Sequence, residues 1–225
     1  MSKELNNTFV DVRNAFRLLN QYQKRVLHIV DYIREQTLYT DMRGGKWYFD
    51  QIKRRNIQDE YNLAVSKDMW GWDFLYGYIF EYYFGKIDLD CGRKVKMSII
   101  QVSDDGFFIS DNDKKQMTNV SSFAPSEASH SYVVLIISIY TTKDPTMWFN
   151  NKKHQNDNQK EFLTQFLSSY EETRNEKAEN GEVAIMKKYE MQRFSSQQST
   201  DEIIREFGKI IRDNSGIKIF RESFY

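Results

Sequence analysis

Eight aromatic residues at every second position are the feature that most constrains how this chain can fold. Successive side chains of a β-strand point to opposite faces, so a period of two places all eight rings on one face of an extended segment. A helix would distribute the same rings around its circumference. The pattern therefore predicts a strand over residues 70–84, whose aromatic face consists of Trp70, Trp72, Phe74, Tyr76, Tyr78, Phe80, Tyr82 and Phe84.

An aromatic face of this size has to be shielded from water. Eight large rings present roughly 1,200 Å², whereas the largest apolar patch on an ordinary monomer covers about 300–600 Å². A platform for stacking nucleic-acid bases is the alternative to a core face. The neighbouring side chains include Asp73 and Glu81, which would repel phosphate. We therefore expect the aromatic face to belong to the core.

The N-terminal segment carries an apolar surface of matching length. Its hydrophobic residues alternate steps of four and three, which is a heptad pattern on a helix. A helix over residues 5–33 spans roughly 44 Å, and the aromatic strand spans roughly 50 Å. We expect this helix to cover the chain's own sheet, with pairing to a second subunit as the alternative. The stripe consists of Leu5, Phe9, Val12, Phe16, Leu19, Val26, Val30 and Ile33.

Gln23 is the one polar residue inside this stripe. Two interpretations of it stay open. A polar residue in a helix seam can set the register of two paired helices. A lone glutamine can equally face a sheet edge or water.

Further periodic segments predict the rest of a single α+β domain over residues 1–225. A long helix (1–40) packs on a largely antiparallel sheet of five or six strands, and two further helices complete the part over 70–225. Ser199 and Glu202 resemble a capping box for the last helix, which Gly216 ends. The other predicted elements are strands at 94–102, 132–140 (buried on both faces), 183–191 and 217–220, and a short helix at 162–170.

Composition limits the function classes. A net charge of zero and a pI near 6.8 argue against a dedicated DNA-binding protein. No apolar run approaches the ~20 residues that span a bilayer, and no signal peptide opens the chain. The single Cys91 excludes an internal disulfide. Lys53, Arg54 and Arg55 form a basic corner, which is either simply solvated or a binding surface for nucleic acid or an acidic protein.

Carboxylates offer the one enzymatic interpretation. Asp88 and Asp90 are two residues apart, so on a strand both project from one face and can share a divalent metal. On a later strand, Glu190 and Gln192, with Lys187 and Lys188 nearby, loosely resemble the acidic pair plus lysine or glutamine of metal-dependent nucleases. His130 is the histidine best placed for a catalytic base. Surface acids in a turn explain the same aspartates without any metal.

The sequence thus favours a non-enzymatic, cytoplasmic binding or regulatory subunit that acts through protein–protein contacts and needs no cofactor. We expect a homodimer or a larger complex, no membrane association, and a setting in a bacterial mobile element or a phage-conflict system. Gln23, Lys53, Arg54 and Arg55 are the predicted binding residues. The alternatives are a metal-dependent nuclease that uses Asp88, Asp90, Glu190 and His130, and a nucleic-acid-binding protein without catalysis.

Overall fold

A six-stranded sheet lies at the centre of the fold. The structure is a computed structural model and describes residues 3–46, 79–89, 92–106, 123–141, 165–177 and 182–225. The strands are β1 (Arg43–Lys46), β2 (Ile79–Asp88), β3 (Lys94–Val102), β4 (Tyr132–Tyr140), β5 (Thr173–Lys177) and β6 (Val183–Glu190). Their spatial order is β1-β2-β3-β4-β6-β5, and every neighbouring pair is antiparallel. The predicted α+β class and the antiparallel sheet are confirmed.

Within the described residues, two long helices cover one face of this sheet. Helix α1 spans Lys3–Glu35 and helix α2 spans Gln197–Ser215, preceded by a 3₁₀ turn at Met191–Phe194. A second 3₁₀ turn, Glu222–Phe224, follows near the C-terminus. Apolar residues from the second half of α1, from α2 and from every second position of β2, β3, β4 and β6 form one continuous core.

The described part of the aromatic strand lies in this core. Phe80, Tyr82 and Phe84 are all buried, as expected for a core face. The other five rings of the alternating series fall in residues 70–78, which lie outside the described residues. The strand also continues past its predicted end to Asp88, through a bulge at Gly85, whose φ of 101° favours glycine.

The second face of the sheet is buried at its centre, on β4. All nine residues of β4 are buried, which confirms the prediction of a strand covered on both faces. Residues 165–168 are helical, and their Phe166 and Leu167 are buried. The phenol of Tyr132 donates a 2.7 Å hydrogen bond to the carbonyl oxygen of Leu167, which ties this helical segment to β4.

Two predicted details are wrong. Helix α2 begins earlier than expected, because Ser196 is its N-cap and forms the capping box with Ser199, not Ser199 with Glu202. Residues 217–220 form only an isolated bridge, Thr37 to Phe220, and no strand. The apolar pattern of 217–220 reflects packing into the core, where Ile217, Ile219 and Phe220 are buried.

Helix α1 covers the sheet with its second half only. Val26, Val30 and Ile33 are fully buried, whereas Phe9, Val12, Phe16 and Leu19 are exposed. Gln23 contacts Gln101 near one end of β3, and Tyr39, just after the helix, bonds to Val95 near the other end. The helix therefore runs antiparallel to β3. Residues 7–21, about 22 Å of helix, project past the end of the described strands.

Candidate functional site

The acidic residues of the nuclease hypothesis lie far apart. Asp88 pairs with Lys94, which in turn pairs with Tyr140 at one end of β4. Glu190 pairs with Tyr132 at the opposite end. Eight residues of strand separate the two ends, roughly 27 Å at 3.4 Å per residue. Carboxylate oxygens bind Ca²⁺ or Mg²⁺ at about 2.0–2.6 Å, so Asp88 and Glu190 cannot share an ion in this fold. Asp90 lies outside the described residues.

Asp88 and Glu190 each have a local partner instead. The carboxylate of Asp88 lies 2.8 Å from Lys94 Nζ, and the hydrogen bond and charge of this lysine lower the pKa of Asp88. Glu190 accepts a hydrogen bond from the side chain of Gln192. Across the described ranges, no three His, Cys, Asp or Glu side chains come close enough to hold a metal ion.

His130 links the segment that leaves β3 to the segment that enters β4. Its backbone N–H donates a 2.7 Å hydrogen bond to Asp105 Oδ1, and its ring Nδ1 lies 3.7 Å from Asp105 Oδ2. The backbone N–H of Asp105 in turn donates to the His130 carbonyl oxygen at 3.0 Å. These bonds close the β3–β4 connection. They give His130 a structural role that does not depend on catalysis.

Lys187 and Lys188 point to opposite faces of β6, as neighbours on a strand must. Lys187 Nζ lies 3.1 Å from Glu206 Oε1 on α2, and Arg193 Nη2 lies 3.0 Å from Glu206 Oε2. Burial raises the pKa of Glu206, but the hydrogen bonds from Lys187 and Arg193 outweigh it, so the net pKa is lowered. This trio joins β6 to the helix above it.

Lys188 contacts the helical segment 165–168 on the other face of the sheet. Its ammonium donates to the carbonyl oxygens of Ser169 at 2.6 Å and Leu167 at 3.2 Å, at the C-terminal end of the helical residues 165–168. A cation there complements the carbonyl groups that a helix end leaves unpaired. Burial lowers the pKa of Lys188 to about 8, against the opposing charges of Asp105 and Glu171.

Gln23 faces the chain's own sheet. Its Nε2 donates to Tyr82 Oη at 2.7 Å and to Gln101 Oε1 at 3.3 Å, and Tyr82 Oη donates to the same Gln101 oxygen at 2.9 Å. Ser103 extends this network, because Tyr22 and Gln101 both donate to its hydroxyl. Burial raises the pKa of Tyr22, opposed in part by the bond to Ser103. Gln23 is therefore a buried anchor between α1 and the sheet. The predicted binding residues Lys53, Arg54 and Arg55 lie outside the described residues.

The candidate binding surface in the described part of the chain is an apolar stripe on the first half of α1. We call it the N-terminal stripe; it consists of Phe9, Val12, Phe16 and Leu19. Their side chains are 46%, 44%, 62% and 43% exposed. At 100° per residue these four positions fall within an arc of about 80° on the helix. Val10 and Leu18 are also exposed, but they lie more than 80° away from this arc. The stripe is thus a narrow apolar face on a helix that projects from the domain.

The N-terminal stripe continues the line of residues that packs on the sheet. Val26, Val30 and Ile33 occupy the same heptad positions further along α1. Sequence spacing is identical in the two halves, so periodicity alone does not separate the covered half from the exposed one. The signal that marks the boundary is Gln23, whose amide ends the exposed stripe and begins the core contact.

No helix within the described ranges is both long enough and apolar enough to cross a lipid bilayer. Together the fold and the surface define an α+β protein whose first helix presents an exposed apolar stripe. Residues 2–216 match the model of the PM0109 family, and the chain therefore belongs to the PM0109 family. No curated protein and no solved structure matches the chain.

Proposed function

We propose that this protein is a non-enzymatic binding or regulatory subunit that acts through protein–protein contacts made by the N-terminal stripe of α1. The observation that carries this proposal is the exposure of four large apolar side chains on one face of a projecting helix. An amphipathic helix whose apolar face has no cover is the element that proteins insert into a partner's groove or pair with another helix.

The free energy available at the stripe suits such a contact. Complete burial of a large apolar side chain is worth about 1.5–3 kcal/mol, and the four residues of the stripe are each about half exposed. Covering them contributes roughly 4 kcal/mol from this helix alone. Left uncovered, a contiguous apolar face of this kind marks an interaction site or an aggregation liability.

The contacts of the charged side chains favour a binding role over a catalytic one. The charged groups described above serve as connectors: Glu206 joins α2 to β6, Lys188 joins β6 to the helical segment, and His130 joins the ends of β3 and β4. Each has a partner that explains its position. The exposed stripe has no such explanation within the described fold.

The cellular setting is part of the proposal. A single cysteine and a net charge of zero suit a reducing compartment and a partner that is not nucleic acid. We place the protein in the cytoplasm, in a bacterial mobile element or a phage-conflict system. The partner of the stripe is then either a second copy or another cytoplasmic protein.

Affinity purification of three tagged forms from the source cells tests this function. Phe16→Glu places a charge in the stripe, and Leu18→Glu places the same charge on another side of the helix, where Leu18 is 66% exposed. We expect the wild type and Leu18→Glu to retain a bound species, either untagged chain or another protein, that Phe16→Glu loses. Identical profiles for all three forms would contradict the proposed function.

A further inference from the structure

We infer that the N-terminal stripe binds the same stripe of a second copy, antiparallel, about a two-fold axis close to residue 14. This inference rests on the proposed function, since it names the partner of the surface proposed there. Three properties of the described chain support a second copy as the partner: the position of the sheet, the sizes of the stripe residues and the charge along the edges of the stripe.

The sheet determines the direction of the partner helix. From Gln23 onward the seam of α1 is filled by the chain's own strands, through contacts with Tyr82 and Gln101. A parallel partner would continue along that seam, and its second half would occupy the space of this sheet. An antiparallel partner overlaps residues 7–21 and then runs away from this sheet, in the direction of the N-terminal end of α1. Steric exclusion therefore permits the antiparallel arrangement alone.

The stripe is complementary to itself in that direction. With the axis at residue 14, Phe9 lies opposite Leu19 of the partner subunit, and Val12 lies opposite Phe16 of the partner subunit. Each phenyl ring thus meets a smaller aliphatic side chain, so large and small residues alternate along the seam. Such alternation fills an interface without voids or overlap.

The edges of the stripe carry little charge. Thr8, Ala15 and Asn20 flank it without charge, and Arg13 is the one charged residue beside it between residues 7 and 21. Two copies of Arg13 approach near the axis. Arg13 is exposed in the single chain and lies at the edge of the seam, where salt and water screen the repulsion between the two copies. Two identical surfaces can therefore meet without a large electrostatic cost.

The length of the overlap between the two helices determines how tightly the two copies are expected to bind. Fifteen residues of helix give a contact about 22 Å long, which is short for an interface of standard area, roughly 1,600 Å² in total. We expect a dimer that dissociates on dilution, with a dissociation constant in the micromolar range.

Sedimentation from low micromolar to several hundred micromolar protein tests the dimer. The wild type and Leu18→Glu are expected to convert from monomer to dimer over this range. Phe16→Glu and Val12→Glu are expected to raise the dissociation constant at least about tenfold, because each dimer would bury two charges. A wild type that stays monomeric throughout, or a Phe16→Glu variant that dimerises like the wild type, would overturn the inference.

Disulfide cross-linking tests the direction in chains whose Cys91 is replaced by Ser. Ala15 lies one residue from the axis at the edge of the seam, so Ala15→Cys meets its own copy only in the antiparallel pair. In a parallel pair the two copies would lie on opposite edges. We expect Ala15→Cys to form a disulfide-linked dimer under mild oxidation, and Asn14→Cys, on the outer face of the helix, to form no disulfide-linked dimer. Dimers in sedimentation without the Ala15→Cys cross-link would refute the antiparallel pair.

These outcomes separate the inference from the proposed function. A chain that is monomeric at every concentration, yet retains another protein that Phe16→Glu loses, refutes self-pairing and leaves the binding function standing. A chain whose purified profile and sedimentation are both insensitive to Phe16→Glu refutes the two together.

Discussion

Gln23 Nε2 donates a 2.7 Å hydrogen bond to the phenol oxygen of Tyr82, and this contact marks the point where helix α1 passes from solvent into the core. Before it, the N-terminal stripe (Phe9, Val12, Phe16 and Leu19) is exposed; after it, the same heptad positions are buried. A buried amide–phenol pair also fixes the helix against sliding along the sheet, because a shift of one turn would leave both groups without partners.

Replacing Gln23 by alanine is expected to destabilise the fold by about 1–3 kcal/mol, because Tyr82 and Gln101 would each lose a buried partner. Urea unfolding followed by circular dichroism measures the change. Gln21→Ala, two residues earlier on the exposed side of α1, is the matched control and should stay within about 0.5 kcal/mol of the wild type. Equal effects for the two variants would show that the network does not anchor the helix.

The two halves of α1 are expected to contribute differently to stability. Ile33→Ala removes a fully buried side chain and should cost about 2–5 kcal/mol. Phe16→Ala changes an exposed residue and should stay within about 0.5 kcal/mol in dilute solution. Thermal unfolding of both variants at low concentration is the measurement. A large loss for Phe16→Ala would place the N-terminal half of α1 inside the core.

Strong periodicity made the main elements predictable from the sequence. The heptad of α1, the apolar run of β4 and the alternation in β6 each arise from a buried face, which is what such patterns report. The edge strands were missed, because β1 is Arg-Gly-Gly-Lys and β5 lies in a charged run. Edge strands carry polar and charged residues that discourage pairing with other chains, so their sequences resemble loops.

The candidate site was predictable only in part. The apolar stripe and its interruption at Gln23 are visible in the sequence, but which half of α1 meets the sheet depends on where the strands begin. The separation of Asp88 from Glu190 depends on strand register and order, which bring β6 beside β4 and leave the two acids at opposite ends. Neither property is local, and residue spacing does not encode it.

Lys188 is expected to make stability rise with pH above 8. Its pKa in the folded protein is about 8, lowered by burial, whereas an unfolded lysine titrates near 10.4. Between these values the unfolded chain binds more protons than the folded one, so raising the pH favours folding. The gain should reach about 1–2 kcal/mol by pH 10, after allowance for solvent screening of this half-buried group.

Urea midpoints at pH 7 and pH 10 measure this gain against Lys188→Gln, in which it should vanish. The tyrosines and the other lysines are the same in both proteins, so their contribution to the pH dependence cancels in the comparison. Lys209→Gln, an exposed lysine on α2, serves as the control and should retain the wild-type pH dependence. A wild type and a Lys188→Gln variant with parallel pH profiles would contradict the assignment.

Glu206 is expected to contribute stability at neutral pH that is lost in acid. Its pKa is lowered in the folded protein, because the hydrogen bonds from Lys187 and Arg193 outweigh its partial burial. A carboxyl group with a lowered pKa stabilises the fold fully above its ordinary value of 4.5 and loses this contribution as the pH falls below it. Glu206→Gln should therefore be less stable than the wild type at pH 7, by up to about 1 kcal/mol for such partly exposed pairs, and this difference should shrink as the pH falls below 4.5. Glu202→Gln, one turn earlier on the exposed side of α2, should match the wild type at both pH values. The free energies of unfolding of the wild type and Glu206→Gln could instead differ by the same amount at pH 3 as at pH 7. That result would mean that packing joins α2 to the sheet at this point, and not the charge of Glu206 between Lys187 and Arg193.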